Sequence, residues 1–289
     1  MAERPMGDKM ASLGPNPTLA DIRREIDRLD EGMHRLLMER GEVIDTLIAV
    51  KKTQASGSAF RPGREAEMMK RLAERHHGSL PFDVAESIWR VIIATFTYVQ
   101  APYSVHADIA GGDAPMRDSA RFHFGFTVPL IAHDGANAVI DAVEHSAGDL
   151  GLFPVETGRS EGVWWKRLMR ADAPKIIARL PFVERPDHPA GQPVYLIAKP
   201  LADAAVREIV LYAIGVERWR EGVTPALAAM GAAVEASAAD DDGLSLLVSA
   251  PGMAGRDALL AAMAGLGLGR IEITEIGSHA ARFRLNETA

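Results

Sequence analysis

From Thr18 onward the chain keeps a single helical rhythm. Ile22, Ile26, Leu29, Met33, Leu36, Leu37, Ile44, Leu47 and Ile48 recur at the spacing of one helix face. Gly32 and Gly41 interrupt this pattern only weakly, and no stronger break comes before Gly57. Thr18 followed by Asp21 supplies an N-terminal capping signal. A helix over 18–52 would be about 50 Å long at 1.5 Å per residue. Two short partners in one compact monomer cannot cover such a length. The apolar stripe therefore predicts a second long helix, and with it a helical dimer.

The loop Gln54–Gly63 ends this segment, and Pro62 is suited to the first turn of a second helix. Met68, Met69 and Leu72 give that helix an apolar face, and His76-His77-Gly78-Ser79 stops it. A third helix is predicted from about Asp83 to Gln100, with Val84, Ile88, Ile92, Phe96 and Val99 on one side and Pro102 beyond its end. Residues 105–117, rich in Gly, Ala and Pro, read as a linker. Strand-like runs follow at Phe122–Val128, Leu150–Val155, Val194–Ile197, Ile209–Ile214, Leu244–Val248 and Ile271–Ile276, with helical patterns at 135–145, 200–207, 224–233 and 256–266. The expectation is an α+β chain in two parts. After a disordered tail at 1–17 comes an all-α three-helix domain over 18–104. Beyond the linker lie an α/β segment over 118–203 and a second α/β module over 204–289. From residue 206 this module reads strand, helix, strand, strand, helix, strand, the ferredoxin-like order.

Composition narrows the function. The 289 residues contain no cysteine, which excludes disulfides, thiolate metal sites and a cysteine nucleophile. Residues 18–105 hold 13 basic and 13 acidic side chains, so the net charge of −7 arises after them and no basic nucleic-acid face is indicated. No run approaches a membrane span, and the first residues lack the apolar core of a secretory signal, so a cytoplasmic location is expected. His76, His77, His123, His133, His145 and His188 show no metal-ligand spacing, and neither metal nor cofactor is expected. Trp164 and Trp165 read as packing residues.

Two cations break the apolar stripe of the long helix. Arg40 falls between Leu36 and Ile44, and Lys51, eleven residues on, is rotated by only about 20° from it and displaced by roughly 16 Å. Long stems reaching water from the edge of the core are one explanation. An anion held between the two is the other, because unpaired buried cations are costly. Arg23 leaves the helix in a different direction, within the charged run Ile22–Glu31, where a solvated face is the simpler reading.

The order of residues adds a resemblance. Leu19-Ala20-Asp21-Ile22-Arg23-Arg24-Glu25-Ile26-Asp27, Leu36-Leu37-Met38-Glu39-Arg40, Lys51, Arg64-Glu65 and Ile92-Ile93 with Gln100 together resemble the all-helical (AroQ-type) chorismate mutases over residues 18–102. The resemblance implies rearrangement of chorismate to prephenate, on the route to phenylalanine and tyrosine, in an intertwined homodimer. It further implies that Arg40 grips one substrate carboxylate and Arg23 of the partner chain the other. Lys51 and Gln100 would bond the ether oxygen, Glu65 would accept from the ring hydroxyl, and Arg64 would support the wall. Two positions depart from the family pattern: Arg61 stands where an aspartate is usual, and Phe96 where a small hydroxyl residue is common. These departures keep open a second reading, a mutase-fold regulatory protein that binds chorismate or an aromatic amino acid with little turnover. A structural helical dimeriser is a third.

In the C-terminal part, Ala142-Val143-Glu144 and Gly148–Glu156 faintly resemble a segment of prephenate dehydratases. However, Thr157-Gly158 replaces that family's Asn-Ser, and Gln192–Leu196 lacks its Thr-Arg-Phe motif. A degenerate segment is expected there, and a bifunctional mutase/prephenate dehydratase is the less favoured alternative. The last module resembles an amino-acid-binding regulatory (ACT) domain, which implies an aromatic amino acid effector; many ferredoxin-like modules share this order, and a structural module with no ligand is the alternative.

Overall fold

The computed structural model describes residues 16–51, 59–155, 162–186, 188–190, 192–200, 206–240 and 243–285, with Lys51 and Asp240 described in backbone only. The expected tail falls almost wholly outside these residues. The chain divides into two compact units, residues 1–55 and 56–289.

The first unit is one helix, α1 (Leu19–Lys51), unbroken over 33 residues as the periodicity predicts. Its N-terminus closes reciprocally. The Thr18 amide donates to Asp21 Oδ2 at 2.9 Å, and the Asp21 amide donates to Thr18 Oγ1 at 3.2 Å. The apolar stripe is open: Ile26 is 51% exposed, Met33 58% and Leu36 60%.

The second unit begins with α2 (Pro62–Arg75) and α3 (Phe82–Gln100). There follow β1 (Val105–Asp108), α4 (Asp113–Phe124), β2 (Leu130–His133), α5 (Ala136–His145) and β3 (Leu150–Pro154). These three strands are parallel, in the order β2-β1-β3. The 105–117 stretch is thus not a linker. Its first four residues are a fully buried strand, and its last five begin α4. Likewise Phe122–Val128 is no strand: helix α4 runs to Phe124, and Gly125, at φ +67°, turns the chain. After α6 (Trp164–Arg167) come β4 (Lys175–Leu180), β5 (Val183–Glu184) and β6 (Val194–Ala198), with β6 antiparallel to both β3 and β4.

The ferredoxin-like order is present as expected: β7 (Ile209–Val216), α7 (Val223–Ala228), β8 (Ala233–Asp240), β9 (Gly243–Pro251), α8 (Arg256–Met263) and β10 (Ile271–His279). Its strands lie in the order β10-β7-β9-β8, all antiparallel. Most of the helical pattern at 200–207 lies outside the described residues. Gly277 joins this sheet to β4 through Ile176, completing nine strands. At φ +149° its backbone lies against the Ile176 backbone, where a side chain has no room. A short β11 (Phe283–Arg284) pairs with β5.

Alternation along the strands builds the core on two faces. Leu152, Leu180 and Leu196 face α2, α3 and α4, whereas Phe153, Tyr195 and Ile197 face α5 and the buried pair Trp164 and Trp165. Tyr212, Ile214, Leu246 and Val248 pack under α7 and α8. Each such fully buried side chain contributes about 1.5–3 kcal/mol.

Candidate active site

The predicted residues fall on both units. On α1, Arg23 is exposed and Arg40 half-buried, and Lys51 is the last helical residue. The helix is continuous from 40 to 51, so both positions lie on one unbroken element, about three turns apart.

The second unit supplies the rest. Arg61 precedes α2 and donates from its guanidinium to the Phe60 carbonyl at 3.0 Å. Arg64, in the first turn of α2, is exposed. Glu65, its neighbour, turns the other way and is 4% exposed. Its Oε2 accepts from Arg90 Nη1 at 2.6 Å. Burial pushes the Glu65 carboxyl above its usual range, and the Arg90 charge opposes that shift without cancelling it. Tyr103, just past α3, lies in the same buried group. Its phenol is pushed up by burial and then by the Glu65 charge. At the end of α3, Gln100 donates from its side-chain amide to the carbonyl of half-buried Phe96 at 2.9 Å.

The buried face of α3 differs from the expected one. Val84, Ile88 and Val99 are 42%, 46% and 50% exposed, whereas Glu86 and Arg90 are buried. The reason is ion pairing. Arg185, which follows β5, donates to Asp83 at 2.7 Å and to Glu86 at 2.6 Å, and His188 adds a 3.2 Å contact to Glu86. Charges satisfied in this way can occupy a core face that apolar residues would otherwise fill. The sequence signal for Arg90 was the one that singled out Arg40, a cation inside an apolar run, here Trp89-Arg90-Val91.

A second polar group escaped notice on the parallel strands. His133 shares a 2.8 Å contact with His106, whose other ring nitrogen lies 3.1 Å from Asp149 Oδ2. Among the described residues no group of three or more such side chains is arranged to hold a metal. Two cavities of about 270 and 230 Å³ lie in this unit, the first by Gly215 and Ser245, the second by Lys70 and Phe182, and neither is lined by Arg64 or Gln100. No helix among the described residues is long and apolar enough to cross a membrane.

Comparison with known proteins places the helical part. Residues 22–101 match the family model described as chorismate mutase type II. The bifunctional chorismate mutase/prephenate dehydratase of Neisseria gonorrhoeae is 25% identical over 141 residues, covering 49% of this chain and 38% of that protein. That of Pseudomonas aeruginosa is 28% identical over 149 residues, covering 50% of this chain and 40% of the relative. The chain thus spans about two fifths of the length of the curated relatives it matches. Among solved structures, prephenate dehydratase from Streptococcus mutans overlaps 63% of this chain and 100% of its own, at 13% identity and a TM-score of 0.39. The family match begins three residues inside α1 and ends one residue after α3, so it takes in all three helices and every residue singled out from Arg23 to Gln100. Residues 22–101 are a chorismate mutase type II domain.

Proposed function

We propose that this domain converts chorismate to prephenate. The observation that carries the reading is the family match over 22–101, which takes in Arg40 and Lys51 on one continuous helix. Chorismate is a dianion, and its rearrangement breaks one C–O bond while forming one C–C bond within the molecule. The protein must hold it in the compact reactive conformer and stabilise negative charge growing on the ether oxygen. In this reading Arg40 and the partner chain's copy of Arg23 grip the carboxylates. Lys51 and Gln100 donate to the ether oxygen, Glu65 accepts from the ring hydroxyl, and Arg64 supports the wall. No cofactor is required by this chemistry.

The reading includes a homodimer. Support comes from the open stripe of α1, where Leu29, Met33 and Leu36 are each about half exposed or more, an apolar face that water disfavours. It also includes an aromatic amino acid effector on the ferredoxin-like module and a cytoplasmic role in making phenylalanine and tyrosine.

Chorismate loss, followed on the full chain and on Lys51→Ala, tests the proposal. The substitution is expected to lower kcat by about 10²–10³, the usual effect of losing one donor to a developing oxyanion, with an unchanged melting temperature. Equal rates would remove the assignment. A wild-type chain that binds chorismate without turnover would favour the regulatory reading that Arg61 and Phe96 keep open. Adding phenylalanine, tyrosine or tryptophan to the assay tests the effector, and no change in rate or binding would end that part.

A further inference from the structure

Arg90 is 1% exposed, yet it holds three separate segments. Its Nη1 donates to Glu65 Oε2 on α2 at 2.6 Å, and its Nη2 to the His123 carbonyl on α4 at 3.2 Å. Its guanidinium lies over the Phe182 ring, 5.3 Å from the centroid. The contact to Arg90 is made through the Oε2 oxygen of Glu65. Two of the three supports of Arg90, His123 and Phe182, lie beyond residue 101, where the mutase match ends. A second fastening, from Arg185 and His188 to Asp83 and Glu86, fixes the start of the same helix to the same region.

We propose that Arg90 is a positioning residue for the mutase reaction: it sets the Glu65 carboxylate as the acceptor for the ring hydroxyl, and it is itself set by α4 and Phe182, so the C-terminal region takes part in shaping the mutase site. This rests on the role given to Glu65 above. The guanidinium suits the task because it is planar, always charged and able to donate in several directions at once. A carboxylate in this enclosure without its cation takes up a proton and ceases to be a pure acceptor. The groups facing Glu65 are Arg90 from α3 and the Tyr103 phenol, which burial keeps protonated. On the far side of Arg90, His123 is held neutral by burial and by the cations Arg90 and Arg185 with His188. Glu65 is thus the carboxyl of this set, pushed up by burial and held down by the Arg90 charge.

The test is the pH profile of kcat/KM on the full chain. In Arg90→Met the acid limb is expected to move to higher pH, and below that limb kcat/KM falls about tenfold for each unit of movement. Arg90→Lys, which keeps the charge, is expected to restore most of the wild-type limb. Glu65→Gln, which cannot titrate, lacks the limb altogether. Phe182→Leu removes the ring beneath the guanidinium while leaving the ion pair. It is expected to move the limb in the same direction by less, and it decides the matter if Arg90→Met does not fold. Variants that lower the melting temperature but leave the acid limb and KM at wild-type values would overturn the positioning role alone. A wild-type chain that does not turn over chorismate would overturn the mutase reading and this inference with it.

Discussion

Helix α1 and the ferredoxin-like module have equally regular apolar patterns and opposite fates. In the module, Tyr212, Ile214, Leu246 and Val248 are at most 2% exposed, covered by α7 and α8. On α1, Met33 and Leu36 remain 58% and 60% exposed. Periodicity states which side of an element avoids water, but it does not say what will cover that side. The module finds its cover within one chain, whereas the α1 stripe is left for a second copy in the proposed dimer. Arg23, Arg40 and Lys51, the cations the proposal assigns to chorismate, sit on the helix that carries this exposed stripe. This fits a site that two chains build together.

The sharpest way to break this contrast is at the module's centre. Leu246→Ala, at a fully buried position of β9, is expected to cost about 2–5 kcal/mol, read as a lower denaturation midpoint that does not depend on protein concentration. A loss below 0.5 kcal/mol, the size usual for exposed positions, would mean that Leu246 is not covered by α7 and α8 as described. Next in size is His279, 3% exposed, which burial pushes down to about 4. The unfolded chain then binds a proton between the ordinary histidine range near 6.5 and about 4, while the folded chain does not. Stability from this group is present above about 6.5 and is lost as pH falls through that window, by about 3 kcal/mol in all. Urea titrations at several pH values should show the slope, and His279→Leu should flatten it. An unchanged slope would show that His279 is not the group responsible.

On α1 the corresponding change acts on assembly. Leu36→Ala is expected to raise the dissociation constant of the proposed dimer by about tenfold, the factor that goes with 1.4 kcal/mol, and to leave the module's midpoint alone. Sedimentation at a series of concentrations measures it. A chain that stays monomeric at all of them removes the dimer from the proposal.

Much of the helical part was legible because its signals are local. The Thr18–Asp21 cap, the unbroken stripe and Pro62 in a first turn set α1 and α2, and the same kind of pattern set the order of elements from β7 to β10. Arg40 and Lys51 stood out by interrupting a stripe on one helix. What failed was tertiary. Val105–Asp108 carries a histidine and an aspartate amid Gly, Ala and Pro, and it looks like a linker until neighbours on both sides make it a buried strand. Phe122–Val128 has the aromatic and β-branched content of a strand, but its first residues finish α4. The faces of α3 were exchanged because Glu86 and Arg90 find partners at Arg185, His188 and Glu65, between 25 and 102 residues away, and a window of periodicity cannot register such pairs. For the same reason Glu65 was legible as a motif residue while its hold by Arg90 was not.

The smallest effect separates the two regions at their helix starts. Helix α1 begins with a reciprocal side-chain cap at Thr18 and Asp21, whereas α7 and α8 begin at Gly222 and Gly255 with no side-chain cap. Packing secures those two: Val223 and Leu227 of α7 and Leu259 and Met263 of α8 are fully buried. A helix without a core beneath it depends more on its ends, because its first amides have no other partners. Thr18→Ala is therefore expected to cost α1 about 1 kcal/mol. The Asp21 amide, which donates to Thr18 Oγ1 at 3.2 Å, should then exchange about fivefold faster. Amides in β7 and β9 should exchange as before. If Asp21 exchange is unchanged, the first turn of α1 is held by something other than its cap, and the contrast with α7 and α8 fails at that end.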